Sequence, residues 1–224
     1  MEYFITGIDT NIGKTIASAV LCEALRADYW KPVQAGDLDN SDSLKVRELI
    51  STELVVYPEA YRLSHAMSPH AAAALDGIEV QISNLVLPKH SKPLIIEGAG
   101  GLMVPLNANQ TILDLLQVWS IPVILVSSNY LGSINHTLLT IEVLKQRGIP
   151  LAGVIFNGDE YISSEFVIEH YGGVNILGHI PTFEALNHES VKTFADSWRD
   201  ELIARLERTH PLRPEIENRV RLIL

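Results

Sequence analysis

The sequence predicts an α/β fold: a doubly wound, mainly parallel sheet with helices on both faces. Two observations carry this. Runs that are apolar throughout, such as Pro93-Leu94-Ile95-Ile96 and Pro122-Val123-Ile124-Leu125-Val126, alternate with helical stretches. Strands without a polar face belong to a parallel sheet covered on both sides. The chain also begins with a β-prone run, Tyr3-Phe4-Ile5-Thr6, then a glycine loop ending in Gly13-Lys14-Thr15, then Ile16, Ala19, Val20, Ala24 and Leu25 on one helical face. Strand, glycine loop, Gly-Lys-Thr and helix form the context of a phosphate-binding loop, which makes the fold P-loop NTPase-like.

The elements follow in order. The first helix spans roughly 16–27, and Tyr29-Trp30-Lys31-Pro32-Val33 reads as one short strand. A polar loop over 34–43 leads to a helix near 42–51, and 54–63 is irregular or weakly β. Ser68-Pro69 is a helix start, with proline at the first helical position. Val80 to Leu87 is a candidate short helix, and the strand at 93–97 ends in Glu97-Gly98-Ala99-Gly100-Gly101. Helices are expected at 111–119, 133–147 (closed by Gly148), 163–171 and 189–206, and strands at 122–127, 151–156 and 174–180. No linker is visible, so residues 1–209 are expected to form one domain, with 210–224 a tail of undecided structure.

Composition narrows the function. With 224 residues the chain can enclose a substantial core. A net charge of −10 argues against a broad nucleic-acid footprint. The single cysteine, Cys22, lies within the first helix, rules out a disulfide within the chain and reads as a small buried apolar residue. There is no basic start with a cleavage pattern and no apolar run of membrane length. The expectation is a soluble cytoplasmic protein with no membrane partner.

In such a sheet, ligands sit beyond the carboxyl ends of the strands. The polar residues there are Asp9 and Thr10, Lys31, Glu97 and Asn157, with Asp42 in the loop after Lys31. Inward-turned backbone N–H groups and the helix N-terminus suit phosphate, and Lys14 adds a full charge. Mg²⁺ takes a few hard oxygens, which the Thr15 hydroxyl, Asp42 and Glu97 offer. Asp42 also reads as a helix cap, since Asn40-Ser41-Asp42 is good capping sequence. Lys31 is either a lysine reaching out from a strand end or a second cation facing a transferred phosphate. Glu97, a carboxylate before three glycines in four residues, has little structural reason to stand there. Gly132-Ser133-Ile134-Asn135 opens a strong helix whose free N–H groups suit a carboxylate, although capping by Ser133 also accounts for it. The phosphate loop departs from common spacing: its first glycine is Gly7, one place early, with Ile8 where glycine is usual.

Together these pieces resemble the dethiobiotin synthetases. The matching stretches are Gly7-x-Asp9-Thr10-x-x-Gly13-Lys14-Thr15, Lys31-Pro32-Val33, Asn40-Ser41-Asp42, Glu97-Gly98-Ala99-Gly100-Gly101, Pro122-Val123-Ile124-Leu125-Val126, Leu131-Gly132-x-Ile134-Asn135-His136, Leu151-Ala152-Gly153 and Gly178-x-Ile180-Pro181. The resemblance implies an ATP-dependent cyclo-ligase that joins CO₂ to 7,8-diaminononanoate through a carbamate and a phosphorylated carbamate. It implies Lys14 and Lys31 as catalytic cations and Mg²⁺ on Thr15, Asp42 and Glu97. ATP would lie against Asn11, Ile12, Gly13, Lys14, Thr15 and Ile16, Asp42, Glu97, Gly98, Ala99 and Gly100. Asn157, Gly158, Pro181, Thr182 and Phe183 would complete the nucleotide site. The diamine would meet Thr10, Lys31 and Ala35, with its carboxylate on Gly132, Ser133, Ile134 and Asn135 of a second protomer, hence a homodimer. Ala35 departs from the hydroxyl residue frequent at its place. The alternative reading is a P-loop switch ATPase of the partition or cell-division type. Such proteins carry a second lysine in the loop where this chain has Asp9, and they need a basic or amphipathic surface. An amidotransferase reading would need a nucleophilic cysteine beyond Cys22.

Overall fold

The structure, a computed structural model, describes residues 1–208; the expected tail lies outside the described residues. Seven strands form one sheet: β1 (Glu2–Gly7), β2 (Asp28–Trp30), β4 (Val56–Tyr57), β6 (Leu94–Glu97), β7 (Val123–Ser127), β8 (Leu151–Asn157) and β9 (Ile176–Ile180). Their order is β4-β2-β6-β1-β7-β8-β9, and every neighbouring pair is parallel. β1 lies between β6 and β7, which follow one another in sequence. The order therefore reverses at β1 and opens a crevice beyond its carboxyl end.

Strand alternation divides the core. Tyr3 and Ile5 of β1 join one buried cluster with Tyr29, Ile95, Ile124 and Ile155. That face is covered by α1 (Lys14–Leu25), α2 (Asp42–Leu49) and α7 (His188–Leu206). Phe4, Trp30, Leu94 and Ile96 face the other way, against α3 (Pro69–Leu75), α4 (Ile112–Trp119) and part of α5 (Ser133–Gln146). α6 (Ile162–Gly172) completes that layer beside α5 through Ile168 and Ile141. Cys22 is fully buried, as its place in the first helix implied. Among the described residues no helix is long and apolar enough to cross a membrane.

Two expectations are corrected. The strand drawn through 29–33 is broken: β2 stops at Trp30, and β3 (Val33–Ala35) pairs with β5 (Tyr61–Leu63) in a separate two-stranded sheet. Pro32 between them has no N–H to extend the ladder, while its carbonyl accepts from the N–H groups of Ala60 and Tyr61. The helix proposed for 80–87 is one 3₁₀ turn, Ile82–Asn84. Side chains from elsewhere take its flanking backbone groups: Asn107 Nδ2 donates to the Val80 carbonyl, and the Gln81 N–H donates to the Tyr61 hydroxyl.

Gly178 in β9 seats α7. A Cβ there would stand 2.7 Å from the Trp198 indole, whose ring packs directly on the strand. Gly178→Ala is expected to push Trp198 and α7 off the sheet and cost about 1–3 kcal/mol; a denaturant midpoint shifted at unchanged m-value is the check.

Candidate active site

The phosphate loop joins β1 to α1. Its early glycine has a steric reason: a Cβ on Gly7 would lie 2.6 Å from the Ile12 side chain and 2.8 Å from the Asp9 carbonyl oxygen. The loop folds back over the end of its own strand, and only glycine fits beneath it. Asn11 and Gly13 are left-handed, at φ 58° and 90°, the region open to glycine and tolerated by asparagine. Gly13 also lies against the Asn157 amide, which a Cβ would approach to 2.2 Å. Lys14 donates from Nζ to the Asp9 carbonyl at 2.8 Å, so its ammonium lies across the loop.

The charged cluster follows from the same alternation as the core. Tyr29 and Lys31 share one face of the chain through β2, and Ile95 and Glu97 share that face of β6, with Tyr29 opposite Ile95 in the register. At the strand ends the apolar pattern gives way to charge. Lys31 Nζ donates to Glu97 Oε1 at 3.0 Å and to Asp42 Oδ2 at 2.5 Å. Thr15 Oγ1 donates to Glu97 Oε1 at 3.0 Å, and the Tyr29 hydroxyl donates to Glu97 Oε2 at 2.9 Å. Asp42 is free for this because Ser41 is the cap: its Oγ accepts from the Leu44 N–H at 3.3 Å. The two readings of Asp42 thus resolve, with capping on Ser41 and the Asp42 carboxylate turned to Lys31.

Burial disfavours the Lys31 ammonium, but Glu97 and Asp42 outweigh it and raise its pKa. Burial likewise disfavours the Asp42 carboxylate, and Lys31 more than compensates, so its pKa is lowered. Burial lowers the Lys14 pKa, with Glu97 opposing. Phosphate oxygens arriving beside Lys14 would reverse that burden.

Lys14, Lys31, Thr15, Asp42 and Glu97 line one cleft of about 490 Å³, together with Thr10, Asn11, Gly13, Ile16 and Gly100. Thr15, Asp42 and Glu97 fit a divalent cation on direct grounds: a cation, the Lys31 ammonium, already bridges both carboxylates, and Glu97 Oε1 receives the Thr15 hydroxyl as well. Ile12 differs from its loop neighbours, since its side chain is in the core and only its backbone can serve a phosphate. Gly98 passes over the Phe4 ring, and Gly100 accepts from the Gly7 N–H at 3.4 Å, so the Gly98-Ala99-Gly100 turn abuts the loop.

The remaining expected residues are not among those that line this cleft. Asn157 touches Gly13 from the end of β8, and the Gly158 N–H donates to the Ile180 carbonyl at 2.9 Å, next to Pro181. Pro181 and Thr182 are exposed, and Phe183 packs edge-on against Phe194 of α7. Ala35 packs against the apolar cluster under α3 and α4. Gly132 and Asn135 are exposed at the start of α5, and neither lines the cleft. Gly132, at φ 104°, is the cap there; Ser133 is buried, and its Oγ accepts from the Tyr130 N–H. Sequence reasoning missed Tyr29, although its place two residues before Lys31 on one strand face was a signal. It also missed Lys45, Glu48 and Leu186, which line the cleft, the first two following Asp42 on α2.

A family model described as an AAA domain matches residues 1–190. The protein named ATP-dependent dethiobiotin synthetase BioD from Christiangramia forsetii is 54% identical over 202 residues, 90% of this chain and 97% of that protein. The chain belongs to the dethiobiotin synthetase family. A protein of the same name from Cytophaga hutchinsonii is 47% identical over 203 residues, covering 88% of this chain and 98% of that relative. Among solved structures, the MinC:MinD cell division complex of Aquifex aeolicus is similar with a TM-score of 0.54 at 14% identity, over 95% of this chain and 98% of that one. The septum site-determining protein MinD with Mg-ADP from Pyrococcus horikoshii gives 0.53 at 16% identity, over 92% and 93% of the two chains. At these identities the likeness shows the fold alone, a P-loop NTPase-like sheet that this member of the synthetase family shares.

The lowered pKa of Asp42 fixes a sign. Its stabilising contribution is complete above the ordinary carboxylate range and is lost as pH falls through the lowered value. Asp42→Asn removes a hydrogen bond between charged groups and is expected to cost about 1.5–3 kcal/mol near neutral pH. Thermal melts of parent and variant should converge on acidification; a gap that persists below the lowered value would show that Asp42 acts by packing.

Proposed function

We propose that this chain closes the cyclic urea of dethiobiotin from 7,8-diaminononanoate, CO₂ and ATP. The observation that carries the reading is the convergence of Lys14 and Lys31, from separate segments, on one cleft with Thr15, Asp42 and Glu97. Family membership supplies the substrates: the relatives' name states an ATP-dependent dethiobiotin synthetase.

The chemistry divides into three steps. One amine nitrogen of the diamine attacks CO₂ and gives a carbamate. A carbamate oxygen takes the γ-phosphoryl group of ATP, releasing ADP. The second amine attacks the carbamoyl carbon, and phosphate leaves as the ring closes. Little covalent chemistry falls to the protein, which positions the partners and stabilises charge. Lys31 keeps its proton, because Glu97 and Asp42 raise its pKa. It therefore acts as a fixed cation and donor toward carbamate and phosphoryl oxygens, not as the base that frees the amine. Lys14 draws the migrating phosphoryl group from the loop side. Mg²⁺, on Thr15, Asp42 and Glu97, would supply further charge neutralisation at the phosphates. Asn157, Gly158 and the Pro181–Phe183 segment are the adenine side in this reading, supported by the contact of Asn157 with Gly13. Thr10 and Lys31 face the reacting amines, with Ala35 on the substrate loop nearby.

The diamine carboxylate is assigned to the Gly132–Asn135 helix start of a second protomer. Its absence from the lining of the Lys14–Lys31 cleft supports this, as does the full exposure of neighbouring Leu131. Residues 1–209 are read as one domain, supported by a sheet that takes strands from Glu2 to Ile180. The reading places the enzyme in the cytoplasm.

The direct test is ADP release with and without diaminononanoate plus bicarbonate. Strong stimulation is expected; release indifferent to the diamine would overturn the reading. Lys14→Ala should lower turnover by roughly a hundredfold or more, the scale of one electrostatic clamp on a migrating group. Turnover near the parent's would remove Lys14 from that role. The shared site is tested by mixing Lys14→Ala with Asn135→Ala under conditions of verified subunit exchange. In a mixed dimer one site collects both defects and the other neither, so activity should return, up to half the sites per dimer. If mixing restores nothing, both residues act within one chain.

A further inference from the structure

We propose that Tyr29 is a positioning residue for the cation site: its buried phenol holds one oxygen of Glu97, so that the other stays aimed into the cleft. The inference rests on the reading of Glu97 as a ligand of the nucleotide's divalent cation. The geometry is specific. Tyr29 is fully buried at 0% exposure and Glu97 at 1%. The Tyr29 hydroxyl donates to Oε2 at 2.9 Å, while Thr15 and Lys31 both donate to Oε1, each at 3.0 Å. The two carboxylate oxygens therefore carry different duties. Oε1 meets the groups that line the cleft, and Oε2 is turned back toward the core.

The terminal torsion of a carboxylate is broad and two-fold, which leaves it some rotational freedom unless both oxygens are held. Tyr29 removes that freedom. Its ring fills the core on the α1 face of the sheet with Val20, Leu21 and Ile95, work that a phenylalanine would do equally well. What tyrosine adds is the hydroxyl, and that hydroxyl ends on the one buried carboxylate of the cleft. Tyr29 and Lys31 stand two residues apart on one face of the chain and grip Glu97 from opposite oxygens. A single strand end thus sets both the position and the rotation of the carboxylate.

The test reads the coupling between Mg²⁺ and ADP by calorimetry, as the ratio of ADP affinities with and without Mg²⁺, in the parent, Tyr29→Phe, Glu97→Gln and the double variant. Tyr29→Phe is expected to reduce the ratio about tenfold with metal-free ADP affinity unchanged. Glu97→Gln should reduce it at least as far, and the double variant no further than Glu97→Gln alone. If Glu97→Gln lowers the ratio and Tyr29→Phe does not, the Tyr29 proposal fails while the ligand reading of Glu97 stands. If Glu97→Gln leaves the ratio unchanged, both fail. An additive double variant, or equal loss of affinity with and without metal, would make Tyr29 a packing residue and overturn the proposal. Should Tyr29→Phe melt far below the parent, Tyr29→Met, which also lacks the donor, takes its place in the same cycle.

Discussion

The buried Lys31 ammonium between Asp42 and Glu97 is the constraint on which the site depends. Placing an ammonium out of water is costly, and only its two carboxylates, at 2.5 and 3.0 Å, offset that cost. Those partners come from α2 and β6, the lysine follows β2, and Thr15 of α1 binds the same Glu97 oxygen. Four elements from the first hundred residues must therefore be in register before the charge is satisfied. An unpaired buried charge in any misassembled arrangement is penalised by about 3–5 kcal/mol. The charged cluster and the folded arrangement of this half of the sheet thus specify one another.

The phosphate loop imposes a second constraint of another kind, steric instead of electrostatic. Gly7 lets the loop fold back over β1, and Gly13 lets the Asn157 amide press against the start of α1. The first glycine sits early because the contact it relieves, with Ile12 and the Asp9 carbonyl, is at the foot of the loop. Ile12 anchors the loop in the core by its side chain and leaves its backbone to face a ligand. A loop that must present N–H groups inward is held rigid by an apolar residue pointing the other way.

The fold was readable in the sequence because its strands are buried on both faces and show as unbroken apolar runs. Glu97 was readable for the same reason, as a carboxylate closing such a run, and Lys31 as a charge interrupting one. Asp42 was ambiguous from sequence because Ser41 and Asp42 are both good caps, and only the observed bond from the Leu44 N–H to Ser41 separates them. The break at Pro32 was hidden because Val33, apolar and β-branched, continues the pattern of β2 while belonging to a different sheet. The segment 80–87 has buried apolar residues at helix-compatible positions, yet its backbone groups are met by Asn107 and Tyr61, which local periodicity cannot reveal. Tyr29 was missed since tyrosine is common in strands, and its polar tip acquires meaning only when β6 is laid beside β2.

The charge of the cleft explains how a strongly acidic chain can take an anionic nucleotide. The net charge is −10, so the protein's long-range field repels nucleotide. Within the cleft the balance differs: Lys14, Lys31 and Lys45 face Asp42, Glu48 and Glu97, equal numbers of each sign. Such a lining offers little net attraction at a distance. In the proposed reading, binding would come from directed groups at contact range, namely the loop N–H groups, Lys14 and the helix start. It also gains from any cation that arrives with the nucleotide and meets the carboxylates. Because Lys31 offsets half of the charge carried by Asp42 and Glu97, those carboxylates repel phosphates less than an unpaired couple would. The buried lysine thereby makes a cleft that pairs two carboxylates more tolerable to anions.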